Sequence, residues 1–213
     1  MGYKVGIIPA AGQALRFGGV IKELLPLPDG RTLLEHAVDR LCHCDRIVVV
    51  SNASKVDKHI PKLLGKAGVV IQQGNEMWGA IQTAMVTYDA DQYYLTMPDT
   101  WMMRRAFEGV PEVDFGYGYF ITERPERFGC LMGNRFEDKP QFAYTPAVAW
   151  GVLTWSKHAK RMWLTKRPAD YTEAINLAIE QYNHTHWSIG PYFDCASIED
   201  YEKLLRYLGK ERK

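Results

Sequence analysis

A loop of small residues carrying two cations follows the first apolar run of this 213-residue chain. In "GIIPAAGQALRFGGVIKELLPL" the run breaks into alanines and glycines, followed by Arg16 and Lys22. Glycine permits positive φ and close backbone approach, so several N–H groups can face one oxyanion. Phe17 replaces the third glycine of a dinucleotide fingerprint, and Glu23 follows Lys22 where a P-loop has Ser or Thr. The loop therefore predicts a phosphate site of another kind, with a solvated surface loop as the alternative.

Two aspartates follow other strand-like runs. Asp99 lies in "PDT" after "QYYLTM", and Asp194 lies in "YFDCAS". The carboxyl ends of strands in an open parallel sheet gather along one edge, so we expect both carboxylates to meet there. Carboxylate oxygens are the ligands that Mg²⁺ prefers. Taken singly, Asp99 could cap a helix and Asp194 could be a turn residue.

Amide and imidazole side chains offer two further candidates. Gln72 and Gln73 end an apolar run shortly before Gly79. The two glutamines could simply end the strand. A side-chain amide, however, has both a donor and an acceptor, so either glutamine can pair with the edge of uracil or thymine, and Gly79 leaves room for the base. In "HTH", His184 and His186 share one strand face, but Mg²⁺ chemistry prefers oxygen to imidazole.

Composition limits the partners. The 26 Lys and Arg residues nearly balance the 25 Asp and Glu residues, giving a net charge of +1, so no global field attracts nucleic acid or an anionic membrane. The longest apolar runs are strand-sized, and no charged-then-apolar leader follows Met1. The four cysteines lack zinc spacing and are expected to be reduced thiols. We therefore expect a cytoplasmic protein.

These residues must be positioned by an alternation of strands and helices. Apolar runs of strand length alternate with segments of helical period in the first half, and "DFGYGYFI", "RFGCLMGN" and "AVAWGVLTW" predict mixed strands later. The pattern predicts an α/β fold, with a mixed, mostly parallel central sheet and helices on both faces, in a single domain over residues 1–213.

Helix ends are marked by capping residues. Thr32 and Glu35 predict a capping box before an apolar stripe. Asp170 and Ser197 are expected to cap the last two helices, and Gly209 to end the final one. The predicted stripe consists of Leu33, Leu34, Ala37, Val38 and Leu41.

Five segments together resemble the sugar-1-phosphate nucleotidyltransferases, in that family's order. They are "PAAGQALRFGGVIKELLPLPDGRTLLEHAVDRL", "QQGNEMWGAIQTA", "PDT", "RFGCLMGNRFEDKP" and "YFDCASIEDYEKL". The resemblance implies a Rossmann-like three-layer domain. It also implies Mg²⁺-assisted transfer of a nucleotidyl group from a nucleoside triphosphate, with dTTP or UTP favoured, to a sugar 1-phosphate.

The resemblance also implies a role for each matching position. The catalytic positions are Arg16, Lys22 and Asp99; the nucleotide-binding positions are Ala10, Ala11, Gly12, Gln13, Gln72, Gln73 and Gly79; the sugar phosphate-binding positions are Lys139, Gly129 and Gly151; and the Mg²⁺ ligands are Asp99 and Asp194.

Departures from the family pattern leave the sugar open. Ala14 and Leu15 replace a loop glycine and threonine, Asp138 replaces a glutamate, and the bulky Trp150 lies beside Gly151. Three alternatives remain: a cytidylyltransferase for a small alcohol phosphate, a glycosyltransferase using the "DAD" at 89–91, and a catalytically silent nucleotide-sugar sensor. The base, the sugar and homodimer formation also stay open.

Overall fold

The computed structural model describes residues 2–12, 20–63, 65–72, 76–143 and 147–210. In the first half, strands and helices alternate as the sequence predicts. The elements in chain order are β1 (Lys4–Pro9), α1 (Leu33–Arg40), β2 (Arg46–Ser51), α2 (Val56–Leu63), β3 (Gly68–Ile71), α3 (Met77–Thr87) and β4 (Gln92–Leu95).

The second half begins with strands and ends with helices, which confirms the predicted change of pattern. Its elements are β5 (Thr100–Met102), β6 (Phe115–Phe120), β7 (Gly129–Met132), β8 (Arg135–Asp138), β9 (Ala147–Ser156), α4 (Lys157–Lys166), α5 (Tyr171–Gln181), β10 (His184–Ser188), β11 (Tyr192–Asp194) and α6 (Ile198–Lys210).

One large sheet runs in the order β10-β6-β9-β4-β1-β2-β3. The strands β4, β1, β2 and β3 run parallel to one another, and β10 runs parallel to β6. The long β9 enters antiparallel between β4 and β6, and β7 and β8 extend from it. The expected mixed, mostly parallel α/β sheet is confirmed. A separate two-stranded sheet joins β5 to β11.

Helices cover both faces of the large sheet. In β1, Val5 and Ile7 pack into one hydrophobic cluster with residues of α3, α4 and α5, whereas Ile8 packs into the opposite cluster with α1. This alternation follows from the two-residue period of a strand, and it makes the predicted three layers. A third cluster, which includes Cys195 and Leu204, packs α6 against the small sheet.

The capping predictions hold at three helices. Thr32 and Glu35 form the capping box of α1, and all five residues of the predicted stripe are buried. Asp170 accepts a hydrogen bond from Glu173 N at the start of α5, and Ser197 accepts one from Asp200 N at the start of α6.

The end of the last helix differs from the prediction. The predicted stop at Gly209 is wrong, because α6 continues through Lys210 and Gly209 does not take the positive φ with which glycine ends a helix. The four cysteines, all of which lie within the described residues, form no disulfide. Among the residues that the structure describes, no helix combines the length and apolarity needed to cross a bilayer.

Candidate active site

The loop after β1 begins at the carboxyl edge of the sheet. Ala10 N donates to Val50 O on β2, and Asn52 Nδ2 donates to Ala11 O at 2.6 Å. These bonds fix the first residues of the loop at the wall of a cavity of about 150 Å³. Ala10, Ala11 and Gly12 line that wall. Gln13 and Arg16 lie outside the described residues, so their predicted roles stay predictions.

Lys22 contributes a cation to the same cavity. It opens a short 3-10 helix, Lys22–Leu24, and its Nζ donates to Asp99 Oδ2 at 2.6 Å. Each of the two side chains is about one-fifth exposed, so the pair is open to the cavity but poorly hydrated. Burial lowers the pKa of Lys22, but the charge and hydrogen bond of Asp99 and the charge of Asp194 outweigh it and raise that pKa. Lys22 is therefore a firmly protonated donor.

The small sheet brings Asp99 and Asp194 together from distant parts of the chain. Asp99 immediately precedes β5, and Asp194 at the end of β11 is the antiparallel partner of Thr100. Cys195 N donates to Asp99 O at 3.1 Å, which joins the two segments beyond the strands. The alternative in which Asp99 caps a helix is wrong, because a strand follows it.

The two carboxylates repel each other. Burial, then the charge of Asp99, raises the pKa of Asp194 to about 6, against the opposing charge of Lys22. We call Lys22, Asp99 and Asp194 the Lys22 cluster; it holds two acids and one base. Two neighbouring oxygen-donor side chains fit a hard divalent cation, which takes one or two carboxylates and completes its shell with phosphate oxygens and water. Coordination by these two residues stays a prediction.

Among the described residues, histidine and cysteine side chains do not extend the pair Asp99 and Asp194 into a larger metal-binding group. Within the described ranges, no group of three or more His, Cys, Asp or Glu side chains could hold a metal ion. His184 and His186 lie on β10 at the outer edge of the large sheet, where both rings stack on Tyr117. The two histidines therefore have an aromatic packing role.

Gln72 follows β3 and lies over the first turn of α3. Its Nε2 donates to Glu76 O at 3.1 Å, while its buried Oε1 has no hydrogen-bond partner among the described residues. A Cβ at Gly79 would lie 2.6 Å from Gln72 Nε2, so only glycine lets the amide rest there. A buried acceptor without a donor is costly, which leaves Gln72 ready to accept from a ligand. Gln73 lies outside the described residues.

The predicted sugar phosphate positions occupy the β7–β9 side. Gly129 begins β7 and pairs with Asp138 and Val148. A Cβ at Gly151 would lie 2.6 Å from Met97 N, so this glycine lets β9 approach the segment that leads to Asp99.

Lys139 follows β8 and is not brought to the aspartates. It is exposed, with φ of 48°, and its N–H donates to Phe128 O. Among the hydrogen bonds and ion pairs of the described residues, none joins its side chain to Lys22, Asp99 or Asp194.

A second ion cluster in the cavity wall was missed by sequence reasoning. Glu23 Oε1 accepts from Lys55 Nζ at 2.8 Å and lies 3.0 Å from His59 Nε2, and Ser51 Oγ lies 2.9 Å from His59 Nδ1. We call Glu23, Lys55 and His59 the Glu23 cluster; all three are nearly inaccessible to solvent. Burial raises the pKa of Glu23, but the bonds from His59 and Lys55 outweigh it and lower that pKa. The available signal was Lys55 and His59, one helical turn apart.

The acidic triplet at 89–91 lies outside the cavity. It precedes β4, at the opposite end of that strand from Asp99, and Asp89 and Asp91 form structural ion pairs with Lys160 and Lys157.

The three residues that follow Thr100 differ in burial. Met102 is buried and Trp101 packs on Phe193 and Tyr207, but Met103 is exposed.

The N-terminal half of the chain is similar to a known protein family. Residues 6–107 match the family model described as the MobA-like NTP transferase domain, a stretch that includes Lys22 and Asp99 but not Asp194. A search of curated proteins finds no match.

Solved structures resemble the chain over nearly its whole length. One, assigned as a glucose-1-phosphate thymidylyltransferase from Bacillus anthracis, has a TM-score of 0.82 at 17% identity and covers 96% of this chain and 94% of its own. The inositol-1-phosphate CTP transferase from T. maritima has a TM-score of 0.78 at 17% identity, with 98% and 96% covered. A UDP-glucose pyrophosphorylase has a TM-score of 0.78 at 16% identity, with 99% and 100% covered.

The stretch that matches the family model contains the residues that line the cavity at the carboxyl edge of the sheet. Residues 6–107 are similar to the MobA-like NTP transferase domain, and the chain as a whole shares its α/β fold with these three solved structures.

Proposed function

We propose that this protein joins a nucleoside triphosphate to a sugar 1-phosphate, giving a nucleotide sugar and pyrophosphate. The observation that carries the proposal is the Lys22 cluster, in which one ammonium group faces two neighbouring carboxylates beside the loop after β1. The ammonium group of Lys22, the carboxylate of Asp99 and the first residues of the loop after β1 line one cavity, and Asp194 adjoins Asp99 through the small sheet. That combination suits a reaction between two phosphate groups.

The chemistry needs charge neutralisation more than proton transfer. A phosphate oxygen of the sugar 1-phosphate attacks the α-phosphorus, the bond to pyrophosphate breaks, and the attacking oxygen is already ionised. Positioning and electrostatic stabilisation therefore supply the rate enhancement. Lys22 donates to an α-phosphate oxygen as negative charge accumulates there. Bound Mg²⁺, held by Asp99 and Asp194, would supply a Lewis acid for the phosphate oxygens.

The remaining predicted roles belong to this proposal. The N–H groups of Ala11 and Gly12 face the triphosphate, and the family resemblance assigns Gln13 and Arg16 to the same substrate. Arg16 neutralises the leaving pyrophosphate. On the other side of the cavity, Lys139, Gly129 and Gly151 hold the sugar phosphate, which requires the exposed Lys139 side chain to turn inward on binding.

Gln72 supports a preference for dTTP or UTP. Its buried Oε1 lacks a donor among the described residues, and N3–H of uracil or thymine supplies one. The neighbouring Gly79 leaves room for the amide against α3. The choice between Gln72 and Gln73 as the residue that reads the base falls on Gln72 by this argument.

A cytidylyltransferase is the second candidate. It is favoured by the likeness to the inositol-1-phosphate CTP transferase, which extends over 98% of this chain. Cytosine N4–H₂ also donates, so Gln72 Oε1 alone does not separate the two bases. The acceptor substrate would then be an alcohol or inositol phosphate.

The test is pyrophosphate release from a matrix of substrates. Each of dTTP, UTP, CTP, GTP and ATP is paired with common sugar 1-phosphates and with inositol 1-phosphate, in the presence of Mg²⁺. We expect the highest kcat/KM for dTTP or UTP with a sugar 1-phosphate. The best value for CTP with inositol 1-phosphate would favour the second candidate, and no release with any pair, at protein concentrations where the fold is intact, would overturn both.

A further inference from the structure

Arg40, the last residue of α1, is a buried cation that has no carboxylate partner among the residues that the structure describes. It is 2% exposed, and the adjacent Asp39 pairs instead with Arg31 and Lys66. Burial lowers the pKa of Arg40 to about 10, against the opposing charges of Tyr192 and Asp39. At neutral pH the guanidinium is still protonated, so a full charge is held inside the fold.

The hydrogen bonds of Arg40 go to the segment that carries Asp99. Nε donates to Thr96 Oγ1 at 3.0 Å, and Nη2 donates to Met97 O at 3.0 Å and to Thr100 O at 3.3 Å. These acceptors bracket Asp99, with two before it and one after it. The planar fork of arginine reaches several acceptors with one rigid group, which fixes their relative positions.

Three other contacts hold the same segment. Thr96 N donates to Ile7 O on β1 and Cys195 N donates to Asp99 O, both at 3.1 Å, and Gly151 packs directly against Met97. With Arg40 on α1, four separate parts of the chain hold the backbone between β4 and β5. Among the described residues, Arg40 is the one that bonds to this backbone through a charged group.

Stability alone does not account for an arginine here. Burying an ionised group costs several kcal/mol even after relaxation, and well-packed apolar residues often replace buried charges without loss of stability. Nη1 has no hydrogen-bond partner among the described residues, which adds to the cost. The guanidinium gives a fixed backbone path through Met97 and Thr100 that an apolar side chain cannot give.

We infer that Arg40 is a positioning residue, which sets the path of Thr96–Thr100 so that the Asp99 carboxylate faces Lys22 and Asp194. This inference rests on the proposed function for its catalytic consequence. Groups that orient a metal ligand affect metal affinity or activity about 10- to 100-fold when they are removed. Arg40 touches no substrate and acts only through Asp99.

The experiment compares Arg40→Met with Gln92→Met in the full chain. Gln92 is also a buried hydrogen-bonding side chain of β4, but it bonds to Val113 O and Thr154 Oγ1 at the opposite end of the strand. Mn²⁺ binding is followed by electron paramagnetic resonance with a non-hydrolysable triphosphate present. We expect Arg40→Met to weaken Mn²⁺ binding about 10-fold or more, and Gln92→Met to leave it within twofold.

Two milder variants keep the test decisive if Arg40→Met does not fold. Arg40→Lys retains the charge but loses the fork, and Thr96→Val removes one acceptor with little change of shape. Each should raise the Mn²⁺ dissociation constant about threefold, less than the roughly 10-fold lower limit for complete removal of an orienting group. Unchanged Mn²⁺ affinity in the folded Arg40 and Thr96 variants, an equal loss in Gln92→Met, or no Mn²⁺ binding by the wild type would overturn the inference.

Turnover measurements distinguish a failure of this inference from a failure of the proposed function. With an active wild type, Arg40→Met should raise the Mg²⁺ concentration for half-maximal rate while the triphosphate KM, measured at saturating Mg²⁺, changes less than twofold. A change in triphosphate KM alone would contradict the positioning role. A wild type without turnover on any substrate pair refutes the proposed function, and Mn²⁺ affinity still decides the role of Arg40.

Discussion

Lys22 and Glu23 are adjacent in sequence and yet enter two ion clusters of opposite character. Lys22 is one base for two acids, and its pair with Asp99 is partly open to the cavity. Glu23 is one acid for two partners, Lys55 and His59, and the group is closed to solvent. The short 3-10 helix turns the two side chains toward different partners.

The balance of charge separates their roles. The Lys22 cluster has an excess carboxylate, and the raised pKa of Asp194 is the sign of that excess. A bound divalent cation would neutralise this excess negative charge. The Glu23 cluster is satisfied internally, and the lowered pKa of Glu23 reflects this. We therefore expect changes in the first cluster to affect chemistry and changes in the second to affect stability.

The largest effect is expected at Asp99. Asp99→Asn keeps the shape of the side chain but removes a charge from the Lys22 cluster, and loss of one preorganised electrostatic group costs roughly 100- to 1,000-fold in kcat. Pyrophosphate release measures the rate, and thermal unfolding measures stability. A fall in kcat below tenfold, or a loss of melting temperature large enough to explain the lost activity, would remove the contrast between the clusters.

Lys55→Met should act on stability. The substitution leaves Glu23 buried with only His59 as a partner, and breaking a buried ion pair on one side costs about 3 kcal/mol. Urea unfolding gives the free energy of unfolding. The matched control is Lys160→Met, because the partner of Lys160, Asp89, is almost fully exposed. Equal losses of unfolding free energy in the two variants would show that burial of the Glu23 cluster does not increase its contribution to stability.

Asp194→Asn should stabilise the metal-free protein at high pH. The pKa of Asp194 is about 6 in the fold, above the roughly 3.9 of an unfolded aspartate, so its ionisation opposes folding. The stabilising effect of its protonation is full below the unfolded pKa and is lost as pH rises through 6. We expect the variant to melt about 3 °C above the wild type at pH 8 in EDTA, with the difference closing toward pH 4.5.

Asp200 is a control for which we expect the opposite change in melting temperature. Burial raises its pKa, but the bonds from Arg127 and Ser197 outweigh it and lower that pKa. Asp200→Asn should therefore melt below the wild type at pH 8. A melting difference of the same sign for Asp194→Asn and Asp200→Asn would contradict the assigned repulsion between Asp194 and Asp99.

The smallest effect is expected at the outer end of the Glu23 cluster. Ser51→Ala removes the hydroxyl beside His59 Nδ1, and one neutral hydrogen bond contributes about 1 kcal/mol. Urea unfolding at pH 7.5 should resolve this loss. Ser54→Ala, at an exposed hydroxyl bonded to Asn52 Oδ1, should lose less. A loss above 3 kcal/mol at Ser51 would mean that His59 needs the hydroxyl to hold Glu23.

Much of the fold was readable from local patterns. Strand and helix periods, and the caps at Thr32 and Asp170, depend on neighbours in sequence, and the structure confirms them. The prediction at Gly209 failed because a glycine ends a helix only when it takes a positive φ, and the surrounding chain decides that.

The candidate site was readable only where a motif marked it. Lys22, Asp99 and Asp194 came from a family resemblance, and the structure places them side by side. Glu23 and Arg40 were missed because charged residues are usually solvated, and their burial depends on distant parts of the chain. Arg40 does lie on the apolar stripe of α1, three residues after Ala37, and that was its signal.

The position of β9 has a consequence for the order of folding. β9 covers one edge of β4, pairing Leu153 with Leu95, although 51 residues separate the two strands. Until β9 leaves the ribosome, the N-terminal part presents an unpaired, apolar edge at β4, the kind of edge that pairs with other chains. We therefore expect a fragment that ends before β9 to aggregate more readily than the full chain, because β9 is the strand that covers this edge.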